Sequence, residues 1–177
     1  MGFLDKLLKT VDIWLPQEEQ ENIDKGREFE KYIAGIFAEQ EKYFSIEDWT
    51  KDYYNKRDGI KVESNKNPDL IVKYKPTGEK FAVECKFRSN PIKSEKINGY
   101  VVKWSYSDQI RRYNEFSKSN NIPVFVVIGL SGKPNRPKFM FCLPLEDAKY
   151  PEIFLSILDK YERPPDKPFF WKDGILK

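Results

Sequence analysis

Apolar positions change their period several times along this 177-residue chain. Phe3, Leu4, Leu7, Leu8 and Val11 recur at helical spacing, which predicts a short amphipathic helix before Pro16 in an N-terminal extension over 1–22. After a polar, acidic stretch, Asp24 is placed to cap a second helix. Its Phe29, Tyr32, Ile33, Ile36 and Phe37 form one apolar stripe. Phe44, Ile46, Trp49, Tyr53, Tyr54 and Ile60, with Asp58-Gly59 as a turn signal, predict a strand and an irregular connection over 43–62. Two β-rich runs, 69–74 and 81–87, flank a segment whose Pro76 and Gly78 favour reversal, so they are expected to pair as antiparallel neighbours.

The polar, lysine-rich stretch over 88–107 predicts a long loop with a short strand at 100–104, followed by a helix over 108–118. Residues 123–130 (PVFVVIGL) are almost wholly apolar, as expected of a central strand buried on both faces. A further strand is expected over 138–145 and a closing helix over 146–161. The Pro-rich tail with Phe169, Phe170 and Trp171 is expected to lie over the surface. Trp49, Trp104 and Trp171 are read as packing residues rather than stacking platforms. The order of elements describes an α/β domain, a mixed β-sheet flanked by helices with an α-β-β-β-α-β core over 23–145. Residues 146–177 are expected to pack on the same domain.

Composition then narrows the chemistry. At 40% hydrophobic, 15% aromatic and 33% charged residues the chain is expected to fold as one globular domain. It contains no histidine. That removes the Ser-His-Asp triad, the Cys-His dyad, His-ligated zinc and a histidine general base. Two cysteines, Cys85 and Cys142, fall in apolar runs and are read as buried, reduced thiols. No apolar run approaches the ~20 residues of a membrane span, so a cytoplasmic protein without a membrane partner is expected. The net charge of +3 is unevenly spread. Residues 51–118 carry 16 Lys/Arg against 9 Asp/Glu, or +7, and the remaining 15 and 19 give −4. A basic middle suits a polyanion, although a solvated lysine-rich surface fits the charge equally well.

The chemistry is concentrated at Glu84-Cys85-Lys86. Side chains two apart on a strand share a face, so a carboxylate and an ammonium stand side by side there. Glu84-x-Lys86 is the only E-x-K in the chain. Val83, Cys85 and Phe87 are expected to face the core. Asp69, at the start of the preceding hairpin strand, would sit near Glu84 across the sheet. Two carboxylates together attract a hard divalent cation such as Mg²⁺, for which Mn²⁺ can substitute, and Lys86 can orient or deprotonate a water there. The plain alternative is an exposed strand face with a weak ion pair.

Pro68-Asp69, fourteen intervening residues and Glu84-Cys85-Lys86 resemble the PD-(D/E)XK nuclease superfamily, whose fold is restriction-endonuclease-like. The resemblance implies a metal-dependent deoxyribonuclease. It assigns the metal to Asp69, Glu84 and the Cys85 backbone carbonyl, and the attacking water to Lys86. Glu30, in Gly26-Arg-Glu-Phe-Glu30, resembles the glutamate that many members carry on the first helix, a further metal ligand. Gln109 and Tyr113 match the Q-x-x-x-Y of the subgroup similar to the RecB nuclease domain, where they would hold a DNA phosphate or the lysine. Arg88, Lys93, Lys96, Lys103, Arg111 and Arg112 are candidates to line a DNA channel. Two rival readings are a DNA-binding module of the same fold without turnover and an interaction protein whose hairpin matches by accident. No separate recognition domain is apparent, so DNA ends or shape are a more attractive target than a sequence. A homodimer would allow two strands to be cut.

Overall fold

The computed structural model describes residues 19–50, 67–96 and 98–177. The amphipathic pattern at 3–11, the aromatic positions Tyr53 and Tyr54, and the Asp58-Gly59 turn lie outside the described residues. Helix α1 (Glu19–Ala38) buries Phe29, Ile33, Ala34 and Phe37 along one stripe, as the spacing predicts. It already includes Glu19, so Asp24 is exposed inside the helix rather than at its cap. Cap preference is a local signal, and helical continuation upstream overrides it.

Three strands follow as an antiparallel meander: β1 (Phe44–Trp49), β2 (Leu70–Tyr74) and β3 (Lys80–Arg88). The β2–β3 reversal uses Gly78 at φ +76°, a left-handed conformation that glycine adopts without steric cost. Next come β4 (Ile92–Lys93), β5 (Tyr100–Lys103) and helix α2 (Ser107–Asn120), which ends on Asn121 in the left-handed region. β6 (Val124–Lys133) then runs parallel to β3, and β7 (Arg136–Pro144) returns antiparallel. With β9 (Glu162–Arg163) these build a six-stranded sheet in the order β1-β2-β3-β6-β7-β9. The mixed sheet flanked by helices is therefore the architecture expected from sequence. Residues 124–131 of the central strand are buried throughout.

Each face of the sheet has its own core. Toward α2 lie Ala82, Val126, Ile128 and Leu130 with Ile110, Tyr113 and Phe116 of the helix. Toward α1 lie Val83, Cys85, Phe87, Phe125 and Val127 with Phe29, Ile33 and Phe37. The close seating of α1 depends on Gly129. A Cβ there would stand 2.5 Å from the Phe29 ring, so any larger residue would displace the helix.

Two expectations for the C-terminal part are corrected. Residues 146–161 do not form one helix. They make a turn, strand β8 (Glu152–Phe154), the four-residue helix α3 (Leu155–Leu158) and a 3₁₀ turn over Asp159–Tyr161. Ala148, Leu155 and Leu158 are buried at spacings that imitate a helix, but β8 pairs with β5 and closes a three-stranded sheet with β4. The segment over 88–107 holds the expected short strand, as β5, and in addition the two-residue β4. The tail does not lie over the surface either. Phe169 stacks on Phe37 at 4.4 Å between centroids, and Trp171, in the hairpin β10 (Trp171–Lys172) and β11 (Ile175–Leu176), stacks on Phe81 at 4.5 Å. Arg163 secures this path by donating to the carbonyls of Lys167 and Pro168. Among the described residues no helix is long and apolar enough to cross a membrane. Both cysteines are free and buried.

Candidate active site

Alternation along β3 sorts its side chains by face. Val83, Cys85 and Phe87 enter the core under α1, as expected. Glu84 and Lys86 point to the α2 side, and that side is also covered. Glu84 is 2% exposed and Lys86 20% exposed. The Lys86 ammonium stands 2.6 Å from Glu84 Oε1, and Tyr113 of α2 donates its hydroxyl to the same oxygen at 2.7 Å. The second oxygen, Glu84 Oε2, is buried with no hydrogen-bond partner. A buried carboxyl oxygen left unmatched is costly in a folded core, and it marks a place where a ligand would complete the structure.

Asp69 reaches the same spot from the residue before β2. Its Oδ2 accepts the backbone N–H of Cys85 at 2.7 Å, which fixes the half-buried carboxyl beside the Glu84-x-Lys86 segment. Burial first, and the neighbouring Glu84 second, push the Asp69 carboxyl well above its usual range despite Lys86 and the Cys85 amide. Burial pulls the Lys86 ammonium down, but Glu84 and Asp69 outweigh it and hold Lys86 above the ordinary lysine range. Lys86 is thus a firmly protonated cation between two carboxyls. Burial, with Asp69 next, raises the Cys85 thiol well above its normal value, so only the backbone of this residue serves the site.

Glu30 comes from α1 and lies close enough for its charge to raise Asp69 further. Its Oε1 accepts the indole N–H of Trp49, a partner that the sequence pattern did not suggest. Among the described residues no group of three or more His, Cys, Asp and Glu side chains is gathered closely enough to hold a metal. The donor set nevertheless fits a hard divalent cation. Two carboxyls converge, one with an orphaned buried oxygen, and Mg²⁺ needs only one or two protein carboxylates because it keeps several waters.

The remaining candidates divide. Tyr113 is at the site and donates to Glu84, and burial followed by Glu84 raises its hydroxyl. Gln109, one turn earlier, accepts from Ser105 Oγ at 2.8 Å. Arg88 spends its guanidinium on backbone. It donates to the carbonyls of Lys103, Phe87 and Trp104 and so ties β3 to the end of β5. Arg111 and Arg112 pair along α2 with Glu115 and Asp108. Lys93, Lys96 and Lys103 are exposed, with Lys103 4.7 Å from the ring of the exposed Tyr106. Trp104 is fully buried, and its indole donates to the Tyr150 carbonyl, a packing role.

No family model and no curated protein matches the chain. Among solved structures it is similar to Hjc, a Holliday junction resolvase from the archaeal hyperthermophile Archaeoglobus fulgidus, at 15% identity and a TM-score of 0.48. The similarity covers 75% of this chain and 89% of that one. At that level it decides nothing about activity, and the side chains around Glu84 carry the functional reading.

Proposed function

We propose that this protein is a divalent-cation-dependent nuclease that hydrolyses DNA phosphodiester bonds, with Asp69, Glu84 and Lys86 at its centre and Glu30 assisting. The observation that carries the reading is Glu84. One of its oxygens is shared by Lys86 and Tyr113, while the other is buried without a partner, beside a second carboxyl that its own surroundings disfavour as an anion. A purely structural ion pair gains nothing from such an arrangement. A site awaiting positive charge does.

Asp69, Glu84 and the Cys85 carbonyl would hold Mg²⁺ or Mn²⁺, which when bound supplies the charge that polarises the scissile phosphate and lowers the pKa of water. Tyr113 locks the Glu84 carboxyl in one orientation through Oε1 and leaves Oε2 for that duty. The Cys85 amide does the same for Asp69. Lys86, kept protonated by both carboxyls, orients the attacking water or a phosphate oxygen through its Nζ. The exposed Lys93, Lys96 and Lys103 would meet the backbone of DNA.

Labelled linear duplex, single strand, flap, four-way junction and RNA, incubated with Mg²⁺ or Mn²⁺, test the proposal. Cutting that requires the cation, and that drops at least about 10²-fold in Lys86→Ala and Glu84→Ala, is the expected result, in line with losing one positioned catalytic group. Equal cutting by wild type and variants would refute the assigned site. DNA binding without cutting would favour an inactive module of the same fold.

A further inference from the structure

We propose that the free end of the β6–β7 hairpin is a second DNA-binding element, which grips the duplex backbone on one side of the cleaved bond. The inference rests on the reading above that the chain binds DNA, and it adds a surface that no residue of the site contains.

The hairpin outgrows its sheet. β3 stops pairing with β6 at Arg88 opposite Leu130, and β9 pairs with β7 only at Met140 and Phe141. Among the described residues, 131–138 therefore form a two-stranded ribbon with no third strand beside it, with Ser131, Pro134 and Pro137 buried and the charged side chains exposed. It carries Lys133, Arg136 and Lys138, all exposed, and no Asp or Glu occurs from 131 to 145. On α2 and the β1–β3 edge, by contrast, Lys80 is paired with Glu47, Arg111 with Glu115 and Arg112 with Asp108. Among the described residues none of the three ribbon cations has an acidic partner.

Their arrangement is unfavourable for the protein alone. Lys133 stands directly opposite Arg136 in the ladder, a like-charge cross-strand pair that destabilises a hairpin. Lys138, two residues beyond Arg136, shares its face. The backbone holds this charge in place. Ser131 and Gly132 take φ +60° and +78°, and a Cβ at Gly132 would meet the Arg136 carbonyl and the Lys138 amide at 3.0 Å. Pro134 and Pro137 stiffen the turn further. A rigid ribbon that concentrates repelling cations is suited to a polyanion, and a two-stranded ribbon matches the width of a DNA groove.

The position follows from the register. β3 and β6 are parallel, with Lys86 opposite Ile128, so the ribbon projects from the sheet end toward which Glu84, Lys86 and Arg88 ascend. Lys133 lies five residues past Ile128, at most roughly 17 Å at the usual strand rise, because Ser131 and Gly132 depart from extended backbone. That is the rise of about five base pairs, so the ribbon would meet phosphates within half a helical turn of the site.

The test is duplex binding in EDTA, where no bond is cut, measured as Kd against salt concentration. Wild type is compared with a ribbon triple variant (Lys133→Ala, Arg136→Ala, Lys138→Ala) and with a control triple of exposed lysines elsewhere (Lys118→Ala, Lys149→Ala, Lys160→Ala). Each lost phosphate contact lowers the logarithmic salt slope by about 0.9, so the ribbon triple should lose about two to three and bind at least about tenfold more weakly, whereas the control should lose less than one. Equal slopes for ribbon triple and wild type, equal losses in the two triples, or no DNA binding by wild type would each overturn the proposal. A wild type that shows the ribbon-dependent slope yet cuts no substrate would refute the nuclease and leave the ribbon standing. Unchanged melting of the triple shows that it is folded; if it melts early, the single Lys133→Ala must still lower the slope by about 0.9.

Discussion

The two sides of β3 are built from different materials. Under α1 the strand meets hydrocarbon and aromatic rings: Phe81 stacks on Trp171 and packs edge-on to Phe44 and Phe125, while Phe37 bridges to Phe169. Under α2 the same strand presents Glu84, Lys86 and Arg88, buried or half-buried, each needing polar partners. One side stabilises the fold through area removed from water. The other is matched almost completely, by Tyr113, Lys86 and backbone carbonyls, and its mismatches fall at Glu84 Oε2 and Asp69. On this side of β3 the strain is confined to two adjacent carboxyls, the signature of a site whose stability has been traded for chemistry.

Substitutions on the two sides should therefore have opposite signs. On the aromatic side, Phe81→Ala removes the ring at the centre of the stack and is expected to destabilise by about 3–5 kcal/mol in denaturant unfolding. A loss below about 1 kcal/mol would mean that the tail does not hold this core in place.

On the polar side, Asp69→Asn keeps an oxygen for the Cys85 amide and removes the disfavoured charge. It is expected to stabilise the ion-free protein by about 1 kcal/mol at neutral pH while abolishing cleavage. The sign follows from linkage. The folded-state value of Asp69 lies above its unfolded value, so the native state binds more protons between them and stability falls as pH rises through that window. The gain from Asp69→Asn should therefore shrink toward zero as pH drops to about 4, the ordinary carboxylate range. Melting temperatures of both proteins across pH 4 to 8 would check this, and a gain independent of pH would refute it.

The parts of this contrast that were legible in the sequence are local. Asp69, Glu84 and Lys86 lie within one hairpin, so strand alternation and a single turn suffice to bring them together. The apolar stripe of α1 and the run in β6 are likewise read from their own periodicity. What escaped depends on contacts far along the chain. Phe169 and Trp171 find places in a core built from residues about ninety or more positions earlier, and the bonding of β8 to β5 overrides a helix-like spacing over 146–161. Arg88 belongs to the same class. Its charge suggested DNA, and its three carbonyl partners, two of them on the far side of the β4–β5 excursion, give it a bracing role that the sequence did not show.

Trp49 donates its indole N–H to Glu30, the α1 carboxyl whose charge is felt at Asp69. The ring is half-buried, whereas Trp104 and Trp171 are enclosed in the core. The protein thereby carries an optical gauge of its own occupancy. If Mg²⁺ draws Glu30 inward, the indole loses its acceptor and its fluorescence changes in step with binding; Trp49→Phe should silence that signal, and an unchanged signal in this variant would place its source elsewhere. Ion arrival could then be followed on the unlabelled chain, in the absence of DNA and before any bond is broken.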